Sequence, residues 1–350
     1  MIAALALAAD NFLPLALEDV GYQQPATGNV IARLAQRIET GDVRLAYHPD
    51  FGYLPALLKQ LDIPVSSQVL VFSKTSFQAT RISPRTPRAV YHTPDAYVGW
   101  VRGGDVIEMA ATDRHHGLVF YTLDQEQVRR PKLERRGQEC LQCHVGAATL
   151  QVPGLVVRSV VTNRAGMALF PGPSYLTDHR SPIKERWGGW YVTGQLGDEL
   201  HMGNAFVEPG ASAESLDRKG GLTRSNLDGD FNTAAYLSPH SDIVSLMVLE
   251  HQTRITNLMT RVLYEDRLGE LRENTVRALA GALAMKDEAR WMEPITGTTT
   301  FARDYGQAQH AELDLSTKLF RQRHSPMLRS ELYQAIPAAI RQRVARYMSN

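Results

Sequence analysis

Apolar residues return every three or four positions between residues 28 and 39, at Val30, Ile31, Leu34, Ala35 and Ile38, the spacing of one helix face. Residues 53–61 predict a second, shorter helix, and both read as packing elements. From Val65 the period changes. Runs rich in β-branched and aromatic residues at 69–72, 89–91, 97–101, 106–110 and 118–123, separated by Pro, Gly and Asp, predict strands. Arg102-Gly103-Gly104-Asp105 reads as a hairpin turn. Two more strand pairs are predicted, 155–161 with 167–170 about Asn163-Arg164-Ala165-Gly166, and 189–193 with 200–207 about Gln195-Leu196-Gly197-Asp198. Residues 208–239 are rich in Gly, Ser, Asn and Asp and predict a connector. Ser241 or Asp242 then caps a helix expected to reach residue 266, with Val244, Met247, His251, Ile255, Leu258 and Val262 in one stripe. Helical patterns return at 273–286 and 330–347. The expected fold is α+β: an antiparallel or mixed sheet followed by an all-helical C-terminal region.

Composition narrows the partners. In 350 residues, 38 basic and 37 acidic side chains leave a formal net charge of +1, so bulk charge gives no reason to expect nucleic acid or an anionic membrane surface as a partner. The apolar opening, with Ala6-Leu7-Ala8 ahead of Asp10, reads as the end of a secretory signal over residues 1–9; the alternative is a short buried helix. No other stretch reaches the roughly 18 apolar residues of a membrane span, so no integral membrane segment is expected in the mature chain.

The chemistry concentrates at Cys140-Leu141-Gln142-Cys143-His144, which holds the only 2 cysteines of the chain. Two thiols with two residues between them and a histidine directly after is the spacing of c-type haem attachment, with thioethers from Cys140 and Cys143 and iron coordination by His144. A redox dithiol would need a thioredoxin-like βαβ setting, which the flanks do not announce. A structural zinc site wants four ligands, and no further cysteine exists to complete one. One covalent haem and its iron explain the cysteines and the histidine together. The chain then divides into residues 10–239 as an α+β haem-binding domain, its sheet around the haem site, and 240–350 as a helical region packing on it. Covalent haem attachment takes place outside the bacterial cytoplasmic membrane, which with the leader predicts a periplasmic or otherwise extracytoplasmic protein.

The occupant of the sixth iron position decides function. His251, on the apolar stripe, is one candidate. His201 and Met202 are two more, adjacent on a predicted strand so that only one can face inward. His179 and His240 read as turn residues or partners of the haem carboxylates, and His115 and His116 as a solvated turn. Met167, Met247 and Met285 read as core filler. Of the arginines ahead of the motif, Arg129, Arg130, Arg135 and Arg136, the last two are candidate partners for the anionic haem propionates; a solvated helical face is the alternative. Trp187 and Trp190, with Tyr191, are candidates for a haem wall or for ordinary core.

Several phrases carry a family resemblance: Ser73-Lys74-Thr75-Ser76-Phe77-Gln78, Ile82-Ser83-Pro84-Arg85-Thr86-Pro87-Arg88, Val119-Phe120-Tyr121-Thr122-Leu123-Asp124-Gln125, the haem motif, Glu185-Arg186-Trp187-Gly188-Gly189-Trp190-Tyr191, His201-Met202-Gly203-Asn204 and Glu250-His251-Gln252. Over residues 50–260 the chain resembles a family of exported bacterial single-haem c-type cytochromes without a characterised activity. The resemblance implies an electron carrier or haem enzyme of the cell envelope, and places His179, His201 and His251 inside recurring phrases. Three functions follow as expectations. The first is periplasmic electron transfer with a redox partner protein or a small-molecule donor or acceptor. The second is a peroxidase-like haem oxidoreductase with an open sixth site. The third is a haem-based gas sensor or binding module.

Overall fold

The computed structural model describes residues 12–219, 221 and 224–349; the leader expected at 1–9 lies outside them. Its helices are α1 (Val30–Thr40), α2 (Leu54–Gln60), α3 (Gln138–His144), α4 (Ile243–Arg267), α5 (Glu273–Leu283), α6 (Phe301–Gln309), α7 (Glu331–Ala335) and α8 (Ala338–Ser349). Its strands are β1 (Val69–Val71), β2 (Arg88–His92), β3 (Ala96–Val101), β4 (Val106–Asp113), β5 (Gly117–Asp124), β6 (Leu133–Arg136), β7 (Arg158–Val160), β8 (Ser174–Leu176) and β9 (Trp190–Tyr191).

Seven strands form one sheet in the order β6-β5-β4-β3-β2-β1-β9, with every pairing antiparallel. The fold is therefore α+β, with an antiparallel sheet and a helical C-terminal region. Alternation along the strands gives the sheet two apolar faces. The outer face carries Leu70, Tyr91, Val98, Ile107, Met109 and Tyr121 against α1 and α2. Asn29 caps α1 by accepting from the Ala32 N–H at 2.9 Å. Its side-chain amide donates to Asp113 (3.1 Å) and to the Tyr121 hydroxyl (2.8 Å), pinning that helix to β4 and β5.

The inner face carries Val69, Val71, Tyr97, Ala110, Phe120 and Trp190, and it shares a core with α4, α5 and α8. Asp242 starts α4 by accepting from Val244 at 2.8 Å. Every residue from Ile243 to Glu265 is buried, where the pattern predicted a single stripe. The reason is position: the sheet lies on one side of α4 and the later helices on the other. Its buried charges Arg261 and Glu250 each meet an opposite charge. Arg261 meets Glu265 at 2.8 Å on the same helix, and Glu250 meets Arg186 at 2.8 Å.

Two predicted strand regions fold differently. Residues 200–207 form no strand, only an isolated bridge from Val207 to Asn163. His201 and Met202 are consequently both buried, since an irregular segment does not alternate its side chains. β9 pairs with β1 instead of with residues 200–207, and β7 pairs with β8 in a separate two-stranded ribbon, while residues 167–170 form no strand, only an isolated bridge from Ala168 to Thr162.

Candidate functional site

β6 runs directly into α3, and its alternation separates the two arginines expected to act together. Arg136 is paired across the sheet with Phe120, so it projects on the inner face. There its Nε donates to Thr122 at 2.7 Å and its charge acts on Cys140. Arg135 is committed elsewhere: its guanidinium donates to the carbonyls of Tyr22 and Gln24 and lies over the Tyr22 ring. The structure places Arg136 beside the motif and Arg135 against the N-terminal segment.

Cys140 and Cys143 stand three residues apart on α3 and so share a helix face. Neither forms a disulfide; Cys140 is half-buried and Cys143 exposed. Burial, with Glu139 and Glu108 adding, pushes the Cys140 thiol up to about 11. A dithiol exchange site needs the reverse, a thiolate stabilised near neutral pH.

His144 ends α3 with its ring against Phe120, centroids 4.6 Å apart. Its Nδ1 lies 2.8 Å from the carbonyl oxygen of Gly154. A carbonyl can only accept, so Nδ1 carries the proton and Nε2 keeps its lone pair for a metal. Burial lowers the proton affinity of the ring, so the imidazole is neutral at pH 7.

Two charges on the inner face act on this histidine, and neither was singled out from the sequence. Arg88 lowers its proton affinity and Glu108 raises it. They form an ion pair with each other, and Glu108 also accepts from Ser76 Oγ (3.2 Å) and Gln78 Nε2 (3.3 Å). Gly99, opposite Glu108 in the sheet, has no side chain, and the Arg88 guanidinium occupies that space. Arg88 ends one of the phrases that carry the resemblance. Glu108 is a charged residue inside an apolar strand, which is the signal that could have found it.

The remaining candidates are dispersed. Trp190 lies on the inner face opposite Val71 and donates from Nε1 to the Arg158 carbonyl at 2.9 Å. Trp187 is fully buried with a left-handed backbone (φ +68°), and its ring meets His201 edge-on at 5.1 Å. Met202 sulfur lies 3.7 Å from Ser159 Oγ. His251 donates to or accepts from Ser325 at 2.7 Å and packs against His179 (5.0 Å) and Phe320 (5.1 Å). His251, Met202 and His201 thus each meet a different set of neighbours. His115 is exposed, whereas His116 is buried with Nδ1 at 2.9 Å from Asp113. Met247 and Met285 are in the core, whereas Met167 is half-exposed. Among the described residues no group of three or more His, Cys, Asp or Glu could hold a metal ion, and no helix is long and apolar enough to cross a membrane.

The fold and the site thus define an α+β protein that presents a Cys-X-X-Cys-His helix over the inner face of an antiparallel sheet. Compared with protein-family models, curated proteins and solved structures, the chain matches none.

Proposed function

We propose that the chain is a single-haem c-type redox protein of the cell envelope, passing electrons to or from a partner protein or a small-molecule donor or acceptor. The observation that carries this reading is the His144 Nδ1 bond to Gly154, which presents Nε2 next to two unpaired thiols of the same helix. Cys140 and Cys143 would hold the haem through thioethers and His144 its iron; the bound group supplies a one-electron couple. Arg88 and Arg136 are the inner-face cations suited to its carboxylates, and Trp190 shares that face as a wall. Phe120 holds the imidazole plane and shields it from water. Export follows from the covalent attachment, which is made outside the cytoplasm.

A second reading is a haem oxidoreductase in which no side chain fills the iron position opposite His144. Peroxide cleavage would need a proton acceptor and a cation on that opposite side, whereas the Arg88–Glu108 pair acts on His144 itself.

Both readings are tested on protein matured with an intact cytochrome assembly system. Mass spectrometry should give the polypeptide plus one haem, with the Cys140→Ala, Cys143→Ala double variant unloaded. Rapid carbon monoxide binding by the reduced protein favours an open sixth site, as in an oxidoreductase or a gas sensor; its absence favours electron transfer. Colourless protein with the mass of the bare chain would overturn both.

A further inference from the structure

His144 is tied to the rest of the protein through one peptide group. Its Nδ1–H donates to the Gly154 carbonyl at 2.8 Å, and the Gly154 N–H donates back to the His144 carbonyl at 2.9 Å. The N–H of Leu155 belongs to the same peptide unit as that Gly154 carbonyl. It donates to Oδ1 of Asn257, on α4, at 2.9 Å, and Asn257 Nδ2 donates to the Leu155 carbonyl at 2.8 Å. One helical turn along, Arg261 donates to the Leu150 carbonyl at 3.3 Å. α4 therefore grips residues 150–155 at both ends.

The fit around this peptide is close. A Cβ added to Gly154 would lie 2.5 Å from Asn257 Oδ1 and 2.9 Å from Thr149 Cβ, so only glycine lets the asparagine approach. Asn257 itself is 3 % exposed. Hydrogen bonds in series polarise one another: an amide whose N–H is held by a good acceptor has a more negative carbonyl oxygen. A more negative oxygen draws the Nδ1 proton harder and leaves the imidazole a stronger donor to iron.

We infer that Asn257 is a positioning residue for the iron ligand, setting through the Gly154–Leu155 peptide both the orientation of His144 and the reduction potential of the haem it holds. The inference rests on the haem reading above. Electron-rich imidazole favours oxidised iron, so weakening the relay raises the potential and strengthening it lowers the potential.

The test uses haem-loaded Asn257→Leu and Asn257→Asp protein, the latter at a pH where its carboxylate is ionised. In Asn257→Leu the reduced form should gain on the order of threefold to tenfold over wild type at fixed potential, tenfold being about 59 mV for one electron. Asn257→Asp should move the other way. The His144 Nδ1 proton, read by NMR in the reduced protein under carbon monoxide, should shift upfield in Asn257→Leu and downfield in Asn257→Asp. A residue serving the fold alone would move both variants in one direction or neither, and either result overturns the assignment. Misfolding of both variants also counts against it; if one misfolds, the sign of the other decides. Absence of haem from wild-type protein is seen before any variant is compared, and is a failure of the haem reading instead.

Discussion

His92 closes β2 and lies between the sheet and α4. Its Nδ1 is 3.0 Å from Gln252 Oε1 and its Nε2 2.9 Å from Ser245 Oγ, both on α4. The ring is fully buried, and burial lowers its pKa from 6.5 to about 4 although both hydrogen bonds pull the other way. The folded state holds a neutral ring in a range where the unfolded chain is already taking up a proton. This stability is therefore complete above pH 6.5 and is lost as the pH falls toward 4. At about 1.4 kcal/mol per pKa unit, a displacement of ~2.5 units amounts to ~3.4 kcal/mol, of which roughly 2.5 kcal/mol is gone by about pH 4.5. The assay is urea denaturation of wild type and His92→Gln at several values from about pH 7.5 to about pH 4.5. Other groups that titrate with folding, including Asp178, His179 and Glu250, are present in both proteins and cancel in the difference. His92→Gln should be the less stable protein at the high end, with the gap closing by ~2.5 kcal/mol on acidification. A gap constant with pH would show that His92 is not held neutral by burial, and the reasoning fails.

Two further substitutions probe the inner core. Gly117 turns β4 into β5 with φ +67°, and a Cβ there would overlap Thr260 Cγ2 of α4; Gly117→Ala should cost about 3 kcal/mol, from overpacking plus left-handed strain, with Thr260→Ala recovering only the steric part in thermal melts. His251→Ala removes a fully buried ring bonded to Ser325, at about 2–4 kcal/mol, and should leave the absorption spectrum of haem-loaded protein unchanged. Conversion to a high-spin, carbon monoxide-reactive form would instead make His251 the second iron ligand.

What the sequence disclosed depended on how local the cause was. β2 to β5 are legible because their apolar alternation and turn residues lie within a few positions of each other. β6 is not: Leu133-Glu134-Arg135-Arg136 is an edge strand with one apolar residue, and its pairing partner, not its composition, makes it a strand. Residues 200–207 err in the other direction, because their Val192 and Trp190 neighbours are met through the Asn204 side chain and backbone and not through a strand ladder. α4 shows a stripe in sequence yet is walled in all round, since the second wall is built by helices that follow it. At the site, Cys140, Cys143 and His144 are legible because they lie within five consecutive residues of one short helix. Arg88 and Glu108 reach His144 only through strand register, and Asn257 only through the docking of α4, more than a hundred residues downstream.

The all-round burial of α4 also governs how the chain can assemble. Ser245 is anchored to Ser67 across 178 positions, and Tyr264 to His116 across 148, so the inner face of the sheet stays wet until the last third arrives. Consolidation is set by the closure of long loops, which makes it slow compared with helical proteins of local contacts. The exposed thiol of Cys143 stands outside that seam. Chemistry at Cys143 and the final locking of the molecule can thus proceed in either order, whereas Cys140, half-buried against the core that α4 completes, is more accessible before that core closes.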